Sequence, residues 1–91
     1  MIATATVSDP VGFHLRAAGR IVKLTKTFQA DVTIRYDGRT ANAKSIMGLA
    51  SLAAEFGTAV EIEVDGPDEA EAMPKIIRLI EVDLATPESV E

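Results

Sequence analysis

Apolar and polar residues alternate along three stretches of the chain, over residues 2–8, 31–36 and 60–65, and this pattern predicts strands that bury one face. The Asp37-Gly38 pair after the second stretch is a strong hairpin signal, so we expect a further strand over residues 39–43. Strands with one apolar face favour a mainly antiparallel sheet whose other face is polar.

Apolar residues recur at helical spacing in three other stretches. The first predicted helix begins just after His14. The second has Ser45 as its N-cap and Gly57 as the glycine just beyond its C-terminal end. The third begins with Asp68 as N-cap and Glu71 at the third helical position, an acidic variant of the capping box.

A proline inside the third predicted helix, Pro74, removes one backbone hydrogen bond, so we expect a kink or a helix that restarts there. The predicted order of elements is β-α-β-β-α-β-α. This order predicts an α+β two-layer open-faced sandwich, in which a four-stranded antiparallel sheet is covered on one face by three helices. We expect one domain over residues 1–91, with a frayed tail at 85–91.

The composition excludes several classes of protein. The 91-residue chain has no cysteine, so neither a disulfide framework nor a thiolate metal site is expected. We expect no bound metal and no cofactor. The first residues lack the basic region of a signal peptide, and no apolar stretch is long enough to cross a bilayer, so we expect a cytoplasmic protein without a membrane partner.

Charge is distributed unevenly along the chain. Residues 1–45 carry seven basic and three acidic side chains, a net charge of +4, whereas residues 46–91 carry two basic and eleven acidic ones, a net charge of −9. Nucleic acid is not an expected partner, because such binding depends mainly on neutralising phosphates and four scattered aromatic residues give no stacking platform. An acidic protein surface or a phosphoryl group complements the basic half.

The only histidine, His14, holds the most informative position in the chain. A helix that begins directly after it surrounds the imidazole with backbone N–H groups that have no partner inside the helix, and such a terminus attracts phosphate. Arg16 adds a guanidinium able to hold phosphate oxygens. We interpret His14 as the carrier of a phosphoryl group, bound by the backbone amides of Arg16, Ala17 and Ala18.

Three basic residues, Arg16, Arg20 and Lys23, lie on one face of the same predicted helix. A stripe of this kind is usually a solvated helix face. Its position beside His14 makes a docking surface for an acidic partner the competing interpretation, and both stay open at this point.

Ser45 lies in the second informative stretch, residues 44–48. A serine here, taken alone, is best explained as an N-cap. A phosphate on its side chain would preserve the helix start but place negative charge beside apolar neighbours, so it would regulate docking without unfolding the domain. The predicted apolar docking residues are Phe13, Ile46, Met47 and Leu49.

The two stretches together resemble the motifs of HPr, the histidine-containing phosphocarrier family of the bacterial sugar phosphotransferase system. The first family motif, Gly-Leu-His-Ala-Arg-Pro-Ala, stands here as Gly12-Phe13-His14-Leu15-Arg16-Ala17-Ala18, and the second matches through Lys44-Ser45-Ile46-Met47-Gly48. The resemblance extends to about residue 83 and includes Gly66, Asp68 and Glu69 at the entry to the last helix. Both motifs at this spacing make the resemblance specific.

The resemblance implies that His14 takes a phosphoryl group on Nδ1 from phosphorylated enzyme I and passes it to enzyme IIA domains, with Arg16 positioning the phosphate. It further implies that Ser45 is the target of an ATP-dependent HPr serine kinase/phosphorylase, which only part of the family has. Such a protein forms a phosphohistidine intermediate but is not an independent catalyst. We expect a monomer, because docking to several partners requires a free surface.

The chain departs from the family pattern near both motifs. Ala17 replaces the usual proline, Leu15 replaces a small residue, and Ala50 stands where many relatives carry a larger apolar contact residue. These departures preserve the phosphoryl chemistry but leave the downstream partner open. The alternative function is therefore a regulatory phosphorelay or binding module, such as the nitrogen-related branch, that is not dedicated to sugar transport.

A hydrolase that uses Ser45 or Ser51 with His14 and Asp9 is a third possibility. The chain has no Gly-x-Ser-x-Gly motif, and a serine that caps a helix is a poor nucleophile without a base in contact. The sequence therefore disfavours a hydrolase.

Overall fold

The computed structural model describes residues 1–87. The elements follow the predicted order: β1 (Ile2–Thr6), α1 (Leu15–Thr25), β2 (Asp31–Tyr36), β3 (Arg39–Asn42), α2 (Ile46–Leu52), β4 (Ala59–Asp65), α3 (Glu69–Glu81) and a final 3-10 turn (Asp83–Ala85). The four strands form one antiparallel sheet in the order β1-β4-β2-β3. The predicted two-layer α+β architecture is confirmed, with β1 and β3 slightly shorter than expected.

The central strand, β4, carries the alternation that builds the core. Val60, Ile62 and Val64 are buried, whereas the residues between them point to the open face of the sheet. Ile62 pairs with Ala3 on β1 and with Ile34 on β2, so apolar residues of three strands share one face. The helices cover this face because each of them also presents an apolar stripe to it.

Helices α1 and α2 run antiparallel to each other. At one end, the amide of Phe13 donates to the carbonyl of Ala54, just beyond α2, at 2.8 Å. At the other end, the fully buried hydroxyl of Thr25 donates to the carbonyl of Ala43, just before α2, at 2.7 Å. The start of each helix therefore lies beside the end of the other.

Helix α2 ends differently from the prediction. Ala53, not a glycine, adopts the left-handed conformation that closes the helix, with φ of 55° and ψ of 33°. The prediction that Gly57 closes α2 is wrong. Gly57 instead donates its amide to the carbonyl of Val7 at 2.9 Å, in the turn before β4. The helix is short because its C-terminal turn must meet the loop that leads into α1.

The start of α3 is also stabilised in an unpredicted way. Asp68 is the N-cap residue, but its carboxylate makes no hydrogen bond within its own helix. It accepts from the amides of Gln29 and Ala30, at 2.8 and 2.9 Å. Glu71, predicted to complete a capping box, forms an ion pair with Lys75 at 3.2 Å. Asp68 thus joins the start of α3 to the segment that enters β2.

Helix α3 continues through Pro74 as a single element, so the helix does not restart there. Pro74 is exposed, while Met73 and Ile76 on either side of it are buried. The missing amide therefore lies on the solvent side, and the apolar stripe remains continuous across the proline.

The chain is held near its C-terminal end by hydrogen bonds. The amides of Ala85 and Thr86 donate to the carbonyls of Val82 and Asp83, at 3.2 and 3.3 Å. Arg20 on α1 donates to the carbonyl of Thr86 at 2.8 Å. Residues 85 and 86, in the tail predicted to fray, therefore take part in hydrogen bonds, and residues 88–91 lie outside the described part of the chain.

Gly12 allows the close approach between the loop before α1 and the end of α2. Its φ is +84°, and a Cβ at this position would lie 2.4 Å from the carbonyl oxygen of Ala54. Both the conformation and the lack of space require glycine here.

We expect Gly12→Ala to lower the free energy of unfolding by about 2 kcal/mol or more, because backbone strain and a clash act together. Gly38→Ala is the matched control, since Gly38 has φ of +78° but nothing within 4 Å of an added Cβ. It should lose only the conformational contribution, about 1 kcal/mol. Denaturant titrations measure both losses. Equal losses for the two variants would contradict the clash with Ala54.

The amide of Gln29, followed by that of Ala30, lowers the pKa of the Asp68 carboxyl. Because the folded-state pKa is depressed, this stabilisation is fully present above the unfolded-state pKa of about 3.9, and it is lost as the pH falls through the lower folded-state value. We expect Asp68→Asn to lower the thermal midpoint at pH 7, with a difference from the wild type that narrows below pH ~4.

The control for this experiment is Asp31→Asn, which removes an exposed carboxylate at the start of β2. It should change the midpoint at pH 7 much less than Asp68→Asn does. A difference between Asp68→Asn and the wild type that stays constant from pH 7 to pH ~2 would contradict a role for the charge.

Candidate functional site

His14 is the N-cap of α1, as its position before the predicted helix requires. Its backbone is extended, with φ of −95° and ψ of −178°. Its ring nitrogen Nδ1 accepts from the amide of Arg16 at 3.3 Å, while its carbonyl accepts from the amide of Ala18 at 2.9 Å. The imidazole thus occupies the place that a serine or aspartate side chain usually takes at an N-cap, and Nδ1 faces the start of the helix.

The other ring nitrogen of His14, Nε2, lies 3.2 Å from Oδ2 of Asp9. Asp9 is buried, with 8% of its surface exposed, whereas the His14 side chain is 27% exposed. The second carboxylate oxygen of Asp9, Oδ1, accepts from the amide of Val11 at 2.8 Å. The sequence patterns singled out Asp9 only as part of the disfavoured hydrolase. An acidic residue in the turn before a candidate histidine is the signal for this contact.

A small cavity of about 180 Å³ lies at His14. It is lined by the turn at residues 9–11, by Arg16 and Arg20 on α1, and by the C-terminal segment at residues 84–87. The lining carries two guanidinium groups, on Arg16 and Arg20, against one carboxylate, on Asp9, and it lies at a helix N-terminus, so its positive groups outnumber its negative one and favour an anion.

The amides of the first turn of α1 differ in what they already bind. Within residues 1–87, the amides of Leu15 and Ala17 donate to no acceptor, and the amide of Arg16 faces Nδ1 of His14. The amide of Ala18, which the sequence predicts to bind a phosphate, instead donates to the carbonyl of His14. It is the fourth amide of the turn and therefore the first with an acceptor one turn earlier.

Ser45 caps α2 as predicted. Its Oγ accepts from the amide of Gly48 at 3.1 Å, with a backbone φ of −119° and ψ of 116°. Because α1 and α2 are antiparallel, Ser45 and His14 lie at opposite ends of the helix pair. The two residues singled out in the sequence therefore do not form one site.

Two of the predicted docking residues are part of the core. Phe13 is 4% exposed and Leu49 is fully buried, so the prediction that their side chains contribute to a docking surface is wrong. Leu49 turns inward because α2 buries its Leu49 and Leu52 positions, three residues apart. Phe13 turns inward because its amide joins the end of α2 and directs the side chain into the core.

The other predicted docking residues remain at the surface. Ile46 and Met47 are exposed, the latter to 73%. Lys23 is exposed on α1, whereas Arg20 is partly buried and donates to the carbonyl of Thr86. Within residues 1–87, six further large apolar residues that the patterns did not assign to docking are exposed: Met1, Ile2, Val11, Leu15, Phe56 and Val82. Val11 and Leu15 flank His14 in sequence, which is the signal that points to them.

The hydroxyls of Ser45 and Ser51 both have backbone partners in α2. Ser51 donates to the carbonyl of Gly48 at 2.7 Å, and within residues 1–87 neither Ser45 nor Ser51 contacts His14. Among the same residues, no three His, Cys, Asp or Glu side chains are grouped to hold a metal ion. No helix in the described part of the chain has the length and apolar character to cross a membrane.

Comparison with known proteins gives a consistent result. A family profile described as "PTS HPr component phosphorylation site" matches residues 2–82. The phosphocarrier protein HPr of Cupriavidus necator is 43% identical over 75 residues, which cover 82% of this chain and 84% of that protein.

Solved structures agree with this result. A crystal structure of HPr-C-His from Thermoanaerobacter tengcongensis superposes with a TM-score of 0.87 at 31% identity, covering 97% of this chain and 99% of that one. A crystal structure of an HPr dimer from the same organism has a TM-score of 0.72 at 33% identity, covering 90% and 94% of the two chains. A profile match over nearly the whole length and relatives at this identity show that the chain belongs to the HPr family, the phosphocarriers of the phosphotransferase system.

Proposed function

We propose that His14 accepts a phosphoryl group from phosphorylated enzyme I and passes it to enzyme IIA domains during sugar uptake in the cytoplasm. The observation that carries this proposal is the position of Nδ1 at the N-terminus of α1, on a residue that lines a cavity together with Arg16 and Arg20. The partial exposure of the ring leaves it within reach of another protein.

The proposed transfer is a direct displacement between two nitrogen atoms. The lone pair on Nδ1 gives up the hydrogen bond from the amide of Arg16 and attacks the phosphorus of the donor's phosphohistidine, and the donor's P–N bond breaks as the new one forms. Phosphoryl transfer needs little covalent machinery, since positioning and electrostatics supply most of the rate. The free amides of Leu15 and Ala17 and the guanidinium of Arg16 are the groups that stabilise the phosphoryl oxygens.

The stabilisation of the phosphorylated form has to be limited. A carrier that bound its phosphoryl group too tightly would not release it to the next protein, because only interactions that are stronger in the transition state accelerate transfer. Arg16 is exposed and makes no side-chain hydrogen bond within residues 1–87. The guanidinium of Arg16 therefore stabilises the phosphoryl group as a solvated cation that is free to change its position.

The docking surface that we propose consists of Leu15, Arg16, Lys23, Ile46 and Met47. Its apolar members are exposed although the chain buries most of its large apolar residues, and such residues mark contact surfaces. Methionine adapts to partners of different shape. The basic members lie on the helix that begins at the active histidine, where they attract acidic partners.

The HPr serine kinase/phosphorylase is a further proposed partner, acting on Ser45. A phosphate there would lie next to Ile46 and Met47 on the docking surface. It would lie far from the imidazole, because α1 has 11 residues and extends for about 16 Å between its two ends. The proposed effect of phosphorylation is therefore on partner binding and not on the chemistry of His14.

One observation favours a second candidate function, a regulatory phosphorelay outside sugar transport. Leu15, which stands where the family motif has a small residue, is 61% exposed directly beside His14. A large apolar side chain at this place changes the fit to the acceptor. Faster transfer from the phosphorylated protein to a nitrogen-type than to a sugar-type enzyme IIA would support this candidate, and the reverse order would exclude it.

Incubation with enzyme I, phosphoenolpyruvate and magnesium should place acid-labile phosphate on the wild type and none on His14→Ala. Arg16→Ala should still be phosphorylated but at least about tenfold more slowly, because one cation facing the phosphoryl oxygens is lost. Arg35→Ala, which removes an arginine on the open face of the sheet that pairs with Glu61 and Glu63, is the control and should retain the wild-type rate. Equal labelling of the wild type and His14→Ala would refute the proposal.

We expect Ser45→Asp to weaken binding to enzyme I by about tenfold, or about 1.4 kcal/mol. Ser45→Asn is the matched variant, since asparagine caps a helix as well as aspartate does but adds no charge. Both variants should keep the thermal midpoint of the wild type within a few degrees, and only the charged one should lose affinity in calorimetric titrations. If the two bind equally well, Ser45 acts only as an N-cap.

A further inference from the structure

The carboxylate of Asp9 is fixed in the fold and directed at His14. Its Oδ1 accepts from the amide of Val11 at 2.8 Å, in the same turn, and its Oδ2 lies 3.2 Å from Nε2 of the ring. With 8% of its surface exposed, Asp9 depends on these two donors in place of water. A buried carboxylate in this arrangement leaves the imidazole little freedom to turn.

Two separate contacts select the same tautomer of His14. An ionised carboxylate only accepts hydrogen bonds, so Nε2 carries the hydrogen that faces Asp9. A backbone amide only donates, so Nδ1 presents its lone pair to the amide of Arg16. The nucleophilic nitrogen is therefore Nδ1, the one at the start of α1.

We propose that Asp9 is a positioning residue, which holds the proton on Nε2 of His14 and so directs phosphoryl transfer to and from Nδ1. This inference rests on the proposed function of His14 as the phosphoryl acceptor.

The chemistry of the step requires no proton transfer. As Nδ1 forms its bond to phosphorus and the donor's P–N bond breaks, the neutral ring becomes positively charged and keeps its hydrogen on Nε2. The negative charge of Asp9 faces the nitrogen that carries this hydrogen and stabilises the charged ring. In onward transfer the P–Nδ1 bond breaks, its electron pair returns to Nδ1, and the ring leaves as the same neutral tautomer.

Asp9 also affects whether phosphorylated His14 can pass on its phosphoryl group, because transfer depends on the hydrogen on Nε2. A ring that loses the hydrogen on Nε2 is a poorer leaving group, because it would depart as an anion. The carboxylate favours retention of that hydrogen. The other charged groups that line the cavity are Arg16 and Arg20, which have the opposite effect and are the same in every variant considered below. Removal of the Asp9 carboxylate should therefore slow onward transfer.

The first test uses nitrogen-15 NMR of the unphosphorylated, full-length protein at a pH where the ring is neutral. In the wild type, the ring shifts should report the tautomer with hydrogen on Nε2. In Asp9→Ala we expect a mixture of the two tautomers. Asp83→Asn is the control, since Asp83 lies 3.7 Å from Arg78 and makes no contact with His14. Unchanged ring shifts in Asp9→Ala would overturn the proposal.

The second test uses Asp9→Asn, which keeps an oxygen for the Val11 amide and so preserves the turn. Onward transfer from the phosphorylated variant to enzyme IIA should fall about tenfold to a hundredfold, the range typical of partners that orient a functional histidine. A rate equal to that of Asp83→Asn would reduce Asp9 to a structural residue.

The two tests separate this inference from the proposed function. If the wild type takes no phosphate on His14, the phosphocarrier function fails, while the tautomer measured by NMR still tests the contact with Asp9. If the wild type is phosphorylated but Asp9→Ala keeps one tautomer, the function stands and the positioning role is refuted.

Discussion

The first turn of α1 has backbone amides that need acceptors, and the site is organised around this constraint. His14 satisfies one of them with Nδ1, and its carbonyl satisfies another. The amides of Leu15 and Ala17 remain without an acceptor within residues 1–87. These amides stabilise an anion that is bound beside the imidazole. An anion at this place would therefore meet the need of the helix start for acceptors and the need of a phosphocarrier for a phosphoryl-binding site.

The two ring nitrogens of His14 lie next to groups of opposite charge. Nε2 faces the buried carboxylate of Asp9, whereas Nδ1 faces the positive end of α1. This arrangement suits a nitrogen that must gain and lose a phosphoryl group. In the proposed transfer, the positive side would hold the phosphoryl oxygens, and the negative side would support the charge that the ring acquires. Because the His14 side chain is partly exposed to solvent, water weakens the electrostatic effect of both the helix start and the carboxylate.

The antiparallel packing of α1 and α2 separates the chemistry from its proposed regulation. Hydrogen bonds at the two ends of the pair, from Phe13 to Ala54 and from Thr25 to Ala43, fix the helices in opposite directions. His14 and Ser45 each cap one of the two helices and so lie at opposite ends. A protein that contacts both helices meets the imidazole and the serine together, although the two side chains never interact directly.

The elements of the fold could be predicted from local sequence. Alternation in β4, the Asp37-Gly38 hairpin and the helix starts at His14 and Ser45 follow from spacing and from the conformations of single residues, including φ of 52° at Asp37 and 78° at Gly38. The motif at His14 and the separate motif at Ser45 were therefore visible in the sequence, and so were the residues that cap both helices.

Other features were decided by segments distant in sequence. Gln29 and Ala30 supply the partners of the Asp68 carboxylate, and the approach of Gly12 to Ala54 determines how α2 can end. The core around Phe13 and Leu49 removes their side chains from the surface. The spacing of residues within a helix or strand follows from backbone geometry, so the sequence alone determined where the helices and strands form. The hydrogen-bond partners at the end of each element come from whichever segment packs against that end, so only the tertiary structure decided those partners.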